Sequence, residues 1–353
     1  MGLKPNRLKK GDTVALVTLS AGSLYEADNV VELGRKRLAN FGLKLKVMPH
    51  AQEHHQFIFD HPEIRAADLK AAFLDNEVQA ILCTIGGSDT YRLAPFLLDD
   101  PEFVTAVQQH PKVFMGFSDT TLNHLVFHKL GLNTFYGPSF LNDFADIGPE
   151  MLPFSIENFE HFFKAEPYEL KSSPIWYDER QDFSEASWNV SRMPHREKKG
   201  YESLYGQGIY SGQLLGGCIE SLFDLLTGNS YADEPAINEQ YQLWPNDWAN
   251  KVIFLEPSQE NPNPHTLSIY LHRLAQTGMF DQATALIIGK TQNDAYYNEY
   301  KKIYKQLAKR HNLPVLYNVN FGHGFPRLSI PYGIDVKVDM DQAKIWLQES
   351  PWQ

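Results

Sequence analysis

Short apolar runs alternate with amphipathic helical segments from residue 13 to residue 130. Repeated strand–helix units of this length predict a parallel β-sheet with helices packed on both of its faces. The predicted strands cover 13–19, 43–48, 79–85 and 112–117, and the predicted helices cover 26–41, 64–74, 91–98 and 120–130. In such a sheet the binding site lies at the carboxyl ends of the strands, so the loops that follow the strands are the first places to look for chemistry.

The alternating pattern breaks down in an aromatic, charged and proline-containing segment and then restarts. A long segment of this kind is either a plain linker or an active-site loop, and the sequence leaves both open. The second half contains predicted helices at 219–226 and near 265–277, strands at 251–255 and 283–289, and short β-segments within 314–341. We therefore predict an N-terminal α/β domain over 1–165, a linker or active-site loop over 166–208, and a smaller β-rich, barrel-like domain over 209–353.

Composition excludes several functional classes. The chain of 353 residues has 43 acidic and 32 basic side chains, a net charge of -11, which repels phosphate backbones and disfavours nucleic acid as a partner. No stretch approaches the roughly 20 apolar residues of a membrane span. The apolar run that follows the basic N-terminus is shorter than the roughly 7–15 residues of a signal peptide core, which predicts a cytoplasmic protein. Cys83 and Cys218, both in apolar surroundings, are predicted to be buried reduced thiols.

Ser118 follows the apolar strand Val-Phe-Met-Gly-Phe and precedes a helix. A sharp strand-to-helix turn of this kind presents a serine hydroxyl as a nucleophile, and the helix N-terminus favours a developing oxyanion. The same Ser-Asp-Thr sequence is also typical of an ordinary helix N-cap. The pattern lacks the second glycine of G-x-S-x-G, so the motif alone leaves both interpretations open.

Two further residues could assist a nucleophile. Glu256 ends the apolar run Val-Ile-Phe-Leu, and His323 lies between two glycines. A partly buried carboxylate needs a partner such as an imidazole, and a histidine in an open loop has the geometric freedom of a general base. A solvated loop acid and an ordinary loop histidine are the competing interpretations.

The double glycine Gly86-Gly87 follows the third predicted strand, where backbone without side chains can approach a substrate. A tight turn would explain it equally well. Four histidines cluster between Pro49 and Pro62. Their types suit zinc, but the segment lacks helical periodicity and the HExxH order, so we interpret it as a solvated loop and predict no metal site.

Five segments together resemble peptidase family S66, which comprises L,D-carboxypeptidases and MccF-like microcin immunity proteins. They are, in chain order, IRAADLKAAFLDNEVQAILCTIGG, MGFSDTT, LLGGCIESLFDLLTG, IFLEPSQE and FGHGFP. The resemblance runs from about residue 12 to 338 and is weakest across 168–205. No single motif is decisive, but their order and spacing are specific.

The resemblance implies a serine hydrolase in which Ser118 is the nucleophile, His323 the general base and Glu256 the acid that orients the histidine. The backbone N–H groups of Gly87 and Asp119 would form the oxyanion hole, with Gly86 beside the substrate. It also implies a flavodoxin-like, class I glutamine amidotransferase-like N-terminal domain, a small β-rich C-terminal domain and a homodimer. No metal and no organic cofactor are implied.

The family resemblance leaves two substrate classes open. The sequences of the segments IGGSDTYRLAPFL and LEPSQENPNPHT favour the MccF-like branch. Members of that branch cleave the amide between a peptidyl or aminoacyl group and a modified nucleotide. Trp176 or Trp188 would then stack on the base, unless these side chains only cover the core. The alternative is removal of D-alanine from murein tetrapeptide, and a non-catalytic peptide- or nucleotide-binding protein is the third possibility.

Overall fold

The computed structural model describes residues 2–353 as two mixed sheets, a small hairpin and the helices that cover them. The strands are β1 (Thr13–Val17), β2 (Lys44–Val47), β3 (Val78–Cys83), β4 (Val113–Gly116), β5 (Thr134–Tyr136), β6 (Ile175–Tyr177), β7 (Pro194–Arg196), β8 (Glu202–Tyr205), β9 (Ile209–Cys218), β10 (Lys251–Glu256), β11 (Ala285–Gly289), β12 (Val315–Val319), β13 (Ile330–Tyr332), β14 (Asp335–Asp339) and β15 (Lys344–Leu347).

The α-helices connect these strands and cover the sheets. They are α1 (Asp28–Asn40), α2 (His55–Asp60), α3 (Pro62–Leu74), α4 (Ala94–Leu98), α5 (Pro101–Gln109), α6 (Thr121–Lys129), α7 (Pro153–Phe159), α8 (Ile219–Thr227), α9 (Glu234–Tyr241), α10 (Pro264–Ala275), α11 (Met279–Gln282) and α12 (Tyr297–His311). Short 3₁₀ turns and one π-turn, Phe140–Phe144, fill several of the connections.

The first sheet has the strand order β13-β5-β4-β3-β1-β2. Its first five strands along the chain pair in parallel, as the alternating pattern predicts, and only β13 is antiparallel. The parallel α/β class predicted for the N-terminal half is therefore confirmed. The edge strand β13 comes from the far end of the chain and pairs with β5, so the polypeptide returns to the first sheet after building most of the second.

The second sheet has the order β15-β14-β9-β10-β11-β12-β8 and curls into a half-barrel. Its four central strands are parallel, while β8, β14 and β15 pair antiparallel at its edges. The β-rich, barrel-like C-terminal half is also confirmed. The domain boundaries at 165 and 208 remain a prediction, and β8, which lies within the predicted linker, contributes an edge to this sheet.

Glycines in β9 allow the two sheets to approach each other. A Cβ on Gly217 would lie 2.4 Å from Thr121 Cγ2 at the start of α6, whereas one on Gly216 would lie 1.8 Å from the carbonyl oxygen of Phe254 in the neighbouring strand β10 of the same sheet. At the same junction, Thr121 Oγ1 accepts the Cys218 N–H over 3.0 Å. Because a single apolar core also runs through both halves, the elements that carry Ser118 and Glu256 are held in fixed relation.

Short helices are the main departures from the predicted elements. The predicted helix at 91–98 is a 3₁₀ turn followed by α4, and α5 was not predicted although Asp100 caps it by accepting the Glu102 and Phe103 N–H groups. The histidine-rich segment is not a loop throughout, because His54 caps α2. A helix of about two turns shows too few periods for its apolar pattern to stand out in the sequence.

The segment 166–208 packs along the opening between the two sheets. It contains the β6–β7 hairpin, and the Tyr177 N–H donates to the Phe325 carbonyl over 3.0 Å. Arg180 and Arg192 both pair with Asp146, at 3.3 and 2.6 Å, and so tie the segment to the first half of the chain. This placement favours the active-site-loop interpretation over a plain linker.

Candidate active site

Ser118 lies directly beyond β4, in a 3₁₀ turn that runs into α6. Its φ is +64°, a left-handed conformation that is uncommon for a residue with a side chain. An N-cap serine instead has an extended backbone, so the capping interpretation does not describe this residue. A strained serine between a strand and a helix is the geometry of a nucleophile elbow.

The Gly86-Gly87 turn lies against Ser118. A Cβ on Gly86 would lie 2.8 Å from Ser118 Cβ and 3.3 Å from the Asp119 backbone nitrogen. A Cβ on Gly87 would meet Ser20 Oγ at 2.1 Å. Side chains are therefore excluded from this turn, and its backbone borders the same small space as the Asp119 N–H.

A buried network fixes the two turns relative to each other. Asp119 Oδ2 accepts the Ser20 hydroxyl over 2.6 Å and the Thr90 N–H over 3.0 Å. Burial raises the pKa of the Asp119 carboxyl to about 6. Ser20 Oγ in turn accepts the Ser88 N–H over 3.1 Å. The Asp119 side chain thus orients the turn that carries Gly87, while its backbone N–H remains beside Ser118.

A buried ion pair anchors this network from behind. Arg65 holds Asp89 through two hydrogen bonds of 2.8 and 2.9 Å, and the Arg65 side chain has no exposed surface. Asp89 Oδ1 also lies 3.2 Å from Ser20 Oγ, whose single hydrogen points mainly to the closer Asp119. Neither Ser20, Arg65 nor Asp89 was singled out from the sequence, because nothing in the local sequence shows that β1, α3 and the turn after β3 converge at Asp119.

His323 and Glu256 form a hydrogen-bonded pair at the carboxyl end of the second sheet. His323 Nδ1 donates to Glu256 Oε2 over 2.8 Å, and the His323 N–H donates to the same oxygen over 3.3 Å. Glu256 is completely buried, so the interpretation as a solvated loop acid does not apply. The pairing of Nδ1 leaves Nε2 as the nitrogen available for proton transfer.

The glycine beside His323 makes room for this pair. Gly322 has φ +82°, and a Cβ there would lie 2.4 Å from the Glu256 carboxyl carbon. The His323 ring packs edge-on against Phe117, with ring centroids 5.1 Å apart. The glycine therefore serves close packing of the carboxylate, rather than the mobility of the ring that the sequence suggested.

Tyr136 connects the two halves of the site and was not predicted. Its hydroxyl donates to Glu256 Oε1 over 2.6 Å and accepts the Ser118 N–H over 3.1 Å. Burial and the Glu256 charge raise the pKa of Tyr136 well above its usual range. Its position at the end of the fifth parallel strand is the signal that could have identified it.

We expect Tyr136→Phe to lower kcat by roughly 10- to 100-fold with little change in KM, because it leaves Glu256 Oε1 and the Ser118 N–H without their shared partner. The lost bonds should also cost about 1–3 kcal/mol of unfolding free energy. Tyr304→Phe is the matched control, since the Tyr304 hydroxyl is buried and has no hydrogen-bond partner within residues 2–353. Equal effects of the two variants on kcat would exclude a positioning role for Tyr136.

The predicted residues Gly86, Gly87, Ser118 and His323 line one cavity of about 470 Å³. Glu256 lies behind this wall, where it accepts the hydrogen bond from His323 Nδ1. The remaining wall includes three groups that were not predicted, namely the exposed Phe183 and the largely buried Phe325 and Arg327.

Neither predicted tryptophan is among the residues of 2–353 that line this cavity. Trp176 stacks on His195, with ring centroids 4.1 Å apart, and Trp188 follows a short 3₁₀ turn in the same segment. Phe183, five residues before Trp188, is the aromatic side chain of that segment that reaches the cavity. The stacking role of either tryptophan remains a prediction.

The cysteines and clustered histidines lie in ordinary structural positions. Cys83 and Cys218 are buried free thiols, as predicted. His50 Nδ1 bonds to Asp68 over 2.9 Å, and His54 accepts the Phe57 N–H at the start of α2. Across residues 2–353, no helix is both long enough and apolar enough to cross a membrane.

The fold and its site have the architecture of a two-domain peptidase. The family models for the LD-carboxypeptidase N-terminal domain and C-terminal domain match residues 14–137 and 211–338. The chain therefore belongs to peptidase family S66, as its motifs indicated.

Three relatives illustrate the range of the family. The crystal structure of an MccF-like protein from Streptococcus pneumoniae in complex with AMP has a TM-score of 0.90 and 38% identity, covering 96% of this chain and 99% of that chain. The microcin C7 self-immunity protein MccF of Escherichia coli is 26% identical, over 97% of this chain and 95% of that protein. The "Probable murein peptide carboxypeptidase" of Bacillus subtilis is 25% identical, over 98% of this chain and 93% of that protein.

Proposed function

We propose that this peptidase is a serine amidase of the MccF-like branch, which cleaves the amide between an aminoacyl or peptidyl group and a modified nucleotide. The observation that carries the proposal is the arrangement of Ser118 and His323 in one cavity, with the buried Glu256 bonded to His323 Nδ1. The 38% identity with an MccF-like protein crystallised with AMP supports the nucleotide half of the substrate.

The reaction proceeds by acyl transfer in two steps. His323 Nε2 takes the proton of Ser118 as the hydroxyl attacks the amide carbonyl, and Glu256 stabilises the imidazolium that forms. The backbone N–H groups of Gly87 and Asp119 hold the oxyanion, each contributing about 3–4 kcal/mol of transition-state stabilisation. His323 then protonates the departing amine, and water attacks the acyl-enzyme by the same route.

The walls of the cavity suit a nucleotide with an anionic linkage. Phe183, which is 65% exposed, offers aromatic surface on which a base can stack. Arg327 stacks over Phe325 at 4.0 Å and pairs with Asp143 at 3.1 Å, which fixes a cation at the cavity wall. We extend the family resemblance to propose that the enzyme acts in the cytoplasm as a homodimer, without a metal or an organic cofactor.

The second candidate is a murein tetrapeptide L,D-carboxypeptidase of cell-wall recycling. The likeness to the Bacillus subtilis relative, which matches along nearly the whole chain, favours it. The same serine chemistry would serve both substrates, because the branches differ in the leaving group and not in the bond that is broken.

The deciding experiment incubates purified protein with murein tetrapeptide and, separately, with an aminoacyl-sulfamoyl adenosine, and follows both by mass spectrometry. We expect loss of the aminoacyl group from the nucleotide. Release of D-alanine alone would instead make the protein the murein carboxypeptidase. Tight binding of one compound without cleavage of either would reject the enzyme assignment in favour of a binding protein.

A further inference from the structure

A second cavity of about 420 Å³ adjoins the site, with Gly87, Ser118 and Asp119 forming part of its wall. His323 borders the first cavity but is not among the described residues 2–353 that line the second. Because the group that protonates the departing amine must stand beside it, the leaving group occupies the cavity of His323. The acyl part of the substrate is therefore directed into the second cavity.

The lining of this acyl cavity carries charge of one sign. Lysine, arginine and histidine are absent from it, as far as residues 2–353 show. Carboxylates that share a recess lower the electrostatic potential there and favour a cation over a neutral or anionic group. The acids along its wall are Asp119, Glu220, Asp224, Glu234 and Glu260.

Three of these acids have partners within the protein. Asp119 is held by Ser20 and Thr90, as described above. Glu220 accepts the Ser258 N–H over 3.1 Å and the Ser258 hydroxyl over 2.9 Å. Asp224 accepts the Ser230 hydroxyl over 2.5 Å. These bonds shape the wall and leave the other two carboxyl groups for a ligand.

Glu234, at the start of α9, is the unusual one. Glu234 is only 1% exposed, and its buried Oε2 has no hydrogen-bond partner within residues 2–353. Burial, together with Asp224 and Asp119, raises the pKa of the Glu234 carboxyl to about 9, so the group is neutral at pH 7 in the unliganded protein and a bound cation would favour its ionised form. A buried polar atom without a partner is destabilising, so a ligand donor at this position would relieve that cost.

We propose that the acyl cavity binds a cationic group of the substrate, an ammonium or guanidinium on its acyl part, with Glu234 at the inner wall and the exposed Glu260 as its pairing carboxylates. The inference rests on the proposed amide hydrolysis at Ser118 but not on the identity of the leaving group. It therefore predicts the same acyl preference whether a nucleotide or D-alanine departs.

The test compares kcat/KM for lysyl-, norleucyl- and glutamyl-sulfamoyl adenosine, and for peptides ending in lysyl-D-alanine and norleucyl-D-alanine. Norleucine has nearly the shape of lysine without its charge. We expect about tenfold preference for lysyl over norleucyl, the effect of a well-placed charge-assisted bond, and a larger discrimination against glutamyl. If the lysyl and norleucyl compounds react equally, the same compounds are compared after acetylation of their α-amino groups. A loss of kcat/KM of about tenfold in both would show that the bound cation is the α-ammonium. No loss would overturn the proposal.

The double variant Glu234→Gln/Glu260→Gln removes the charge of Glu260 and the ability of Glu234 to ionise beside a cation, with little change in shape. We expect it to abolish the cation preference, while Glu239→Gln, which neutralises one exposed acid of α9 outside the cavity, leaves the preference unchanged. An undiminished preference in the double variant, or a faster reaction with glutamyl substrate in the unmodified protein, would overturn the proposal.

Failure of the proposed function gives a separate result. If no substrate is cleaved, calorimetric titration of the protein with lysyl- and norleucyl-sulfamoyl adenosine still tests the cavity. Binding of the lysyl compound about tenfold more tightly would uphold the cation site, and equal binding of these two and of the glutamyl compound would reject it.

Discussion

Replacing Ser118 with alanine should reduce kcat by roughly 10⁴- to 10⁶-fold, the range typical of a lost serine nucleophile. In the proposed mechanism this hydroxyl forms the acyl bond, and without it the oxyanion donors would stabilise attack by water far less effectively. Both side chains place a Cβ at a backbone φ of +64°, so the substitution adds no new steric conflict and the fold should be retained. Rates are to be measured with the substrate that the mass-spectrometric experiment selects.

Ser268→Ala is the matched control for this prediction. It removes an exposed serine hydroxyl from α10 that bonds only to the Pro264 carbonyl, over 2.8 Å. We expect it to keep full turnover, and we expect Ser118→Ala to bind substrate with an affinity close to that of the unmodified protein. Turnover retained by folded Ser118→Ala would reject the nucleophile assignment and with it the serine mechanism.

The regular elements were predictable because they depend on local patterns. Each long apolar run, such as the one that became β4, is a buried strand whose period and bounding turns are visible in the sequence. Short helices such as α5 were missed, although the capping Asp100 and the proline after it are typical of a helix start. The return of β13 to the first sheet was also missed, because strand order depends on contacts between distant segments.

The residues of the candidate site also fall into those that local sequence patterns reveal and those that only distant contacts reveal. Ser118, Glu256 and His323 could be singled out because each follows or flanks a strand or glycine pattern that is visible locally. Tyr136 could not, since its importance arises from a single oxygen that lies between Ser118 and Glu256 only after two sheets have packed. The sequence predicted a partly buried Glu256, but not its complete burial, because that results from the close approach of Gly289 and Gly322.

The acidic character of the acyl cavity is the least visible feature in sequence. Its carboxylates come from separate segments, from the turn before α6 through α8 and α9 to the loop before α10. The net charge of -11 suggests only that acids are abundant and says nothing about where they gather. Substrate selectivity in this family therefore has to be argued from the folded cavity, while the chemistry can be argued from the motifs.

The second large effect is expected for Glu256→Gln, which should lower kcat by roughly 10³- to 10⁴-fold, as for loss of the orienting carboxylate in other serine hydrolase triads. Glu256 accepts hydrogen bonds from His323 Nδ1, the His323 N–H and the Tyr136 hydroxyl. Glutamine has only one oxygen for these donors. If the glutamine NH₂ faces His323, it donates to Nδ1, so the neutral ring carries its proton on Nε2. The ring then cannot accept the proton of Ser118.

The opposite amide orientation fails for another reason. The glutamine NH₂ would then face the Tyr136 hydroxyl, whose own hydrogen would lose its acceptor, and no charge would remain to stabilise the imidazolium. Comparing Glu256→Gln, Tyr136→Phe and the double variant separates these effects, because residues of one network lose activity non-additively. We expect the double variant to be scarcely slower than Glu256→Gln alone. A folded Glu256→Gln protein within tenfold of normal kcat would show that His323 does not depend on this carboxylate.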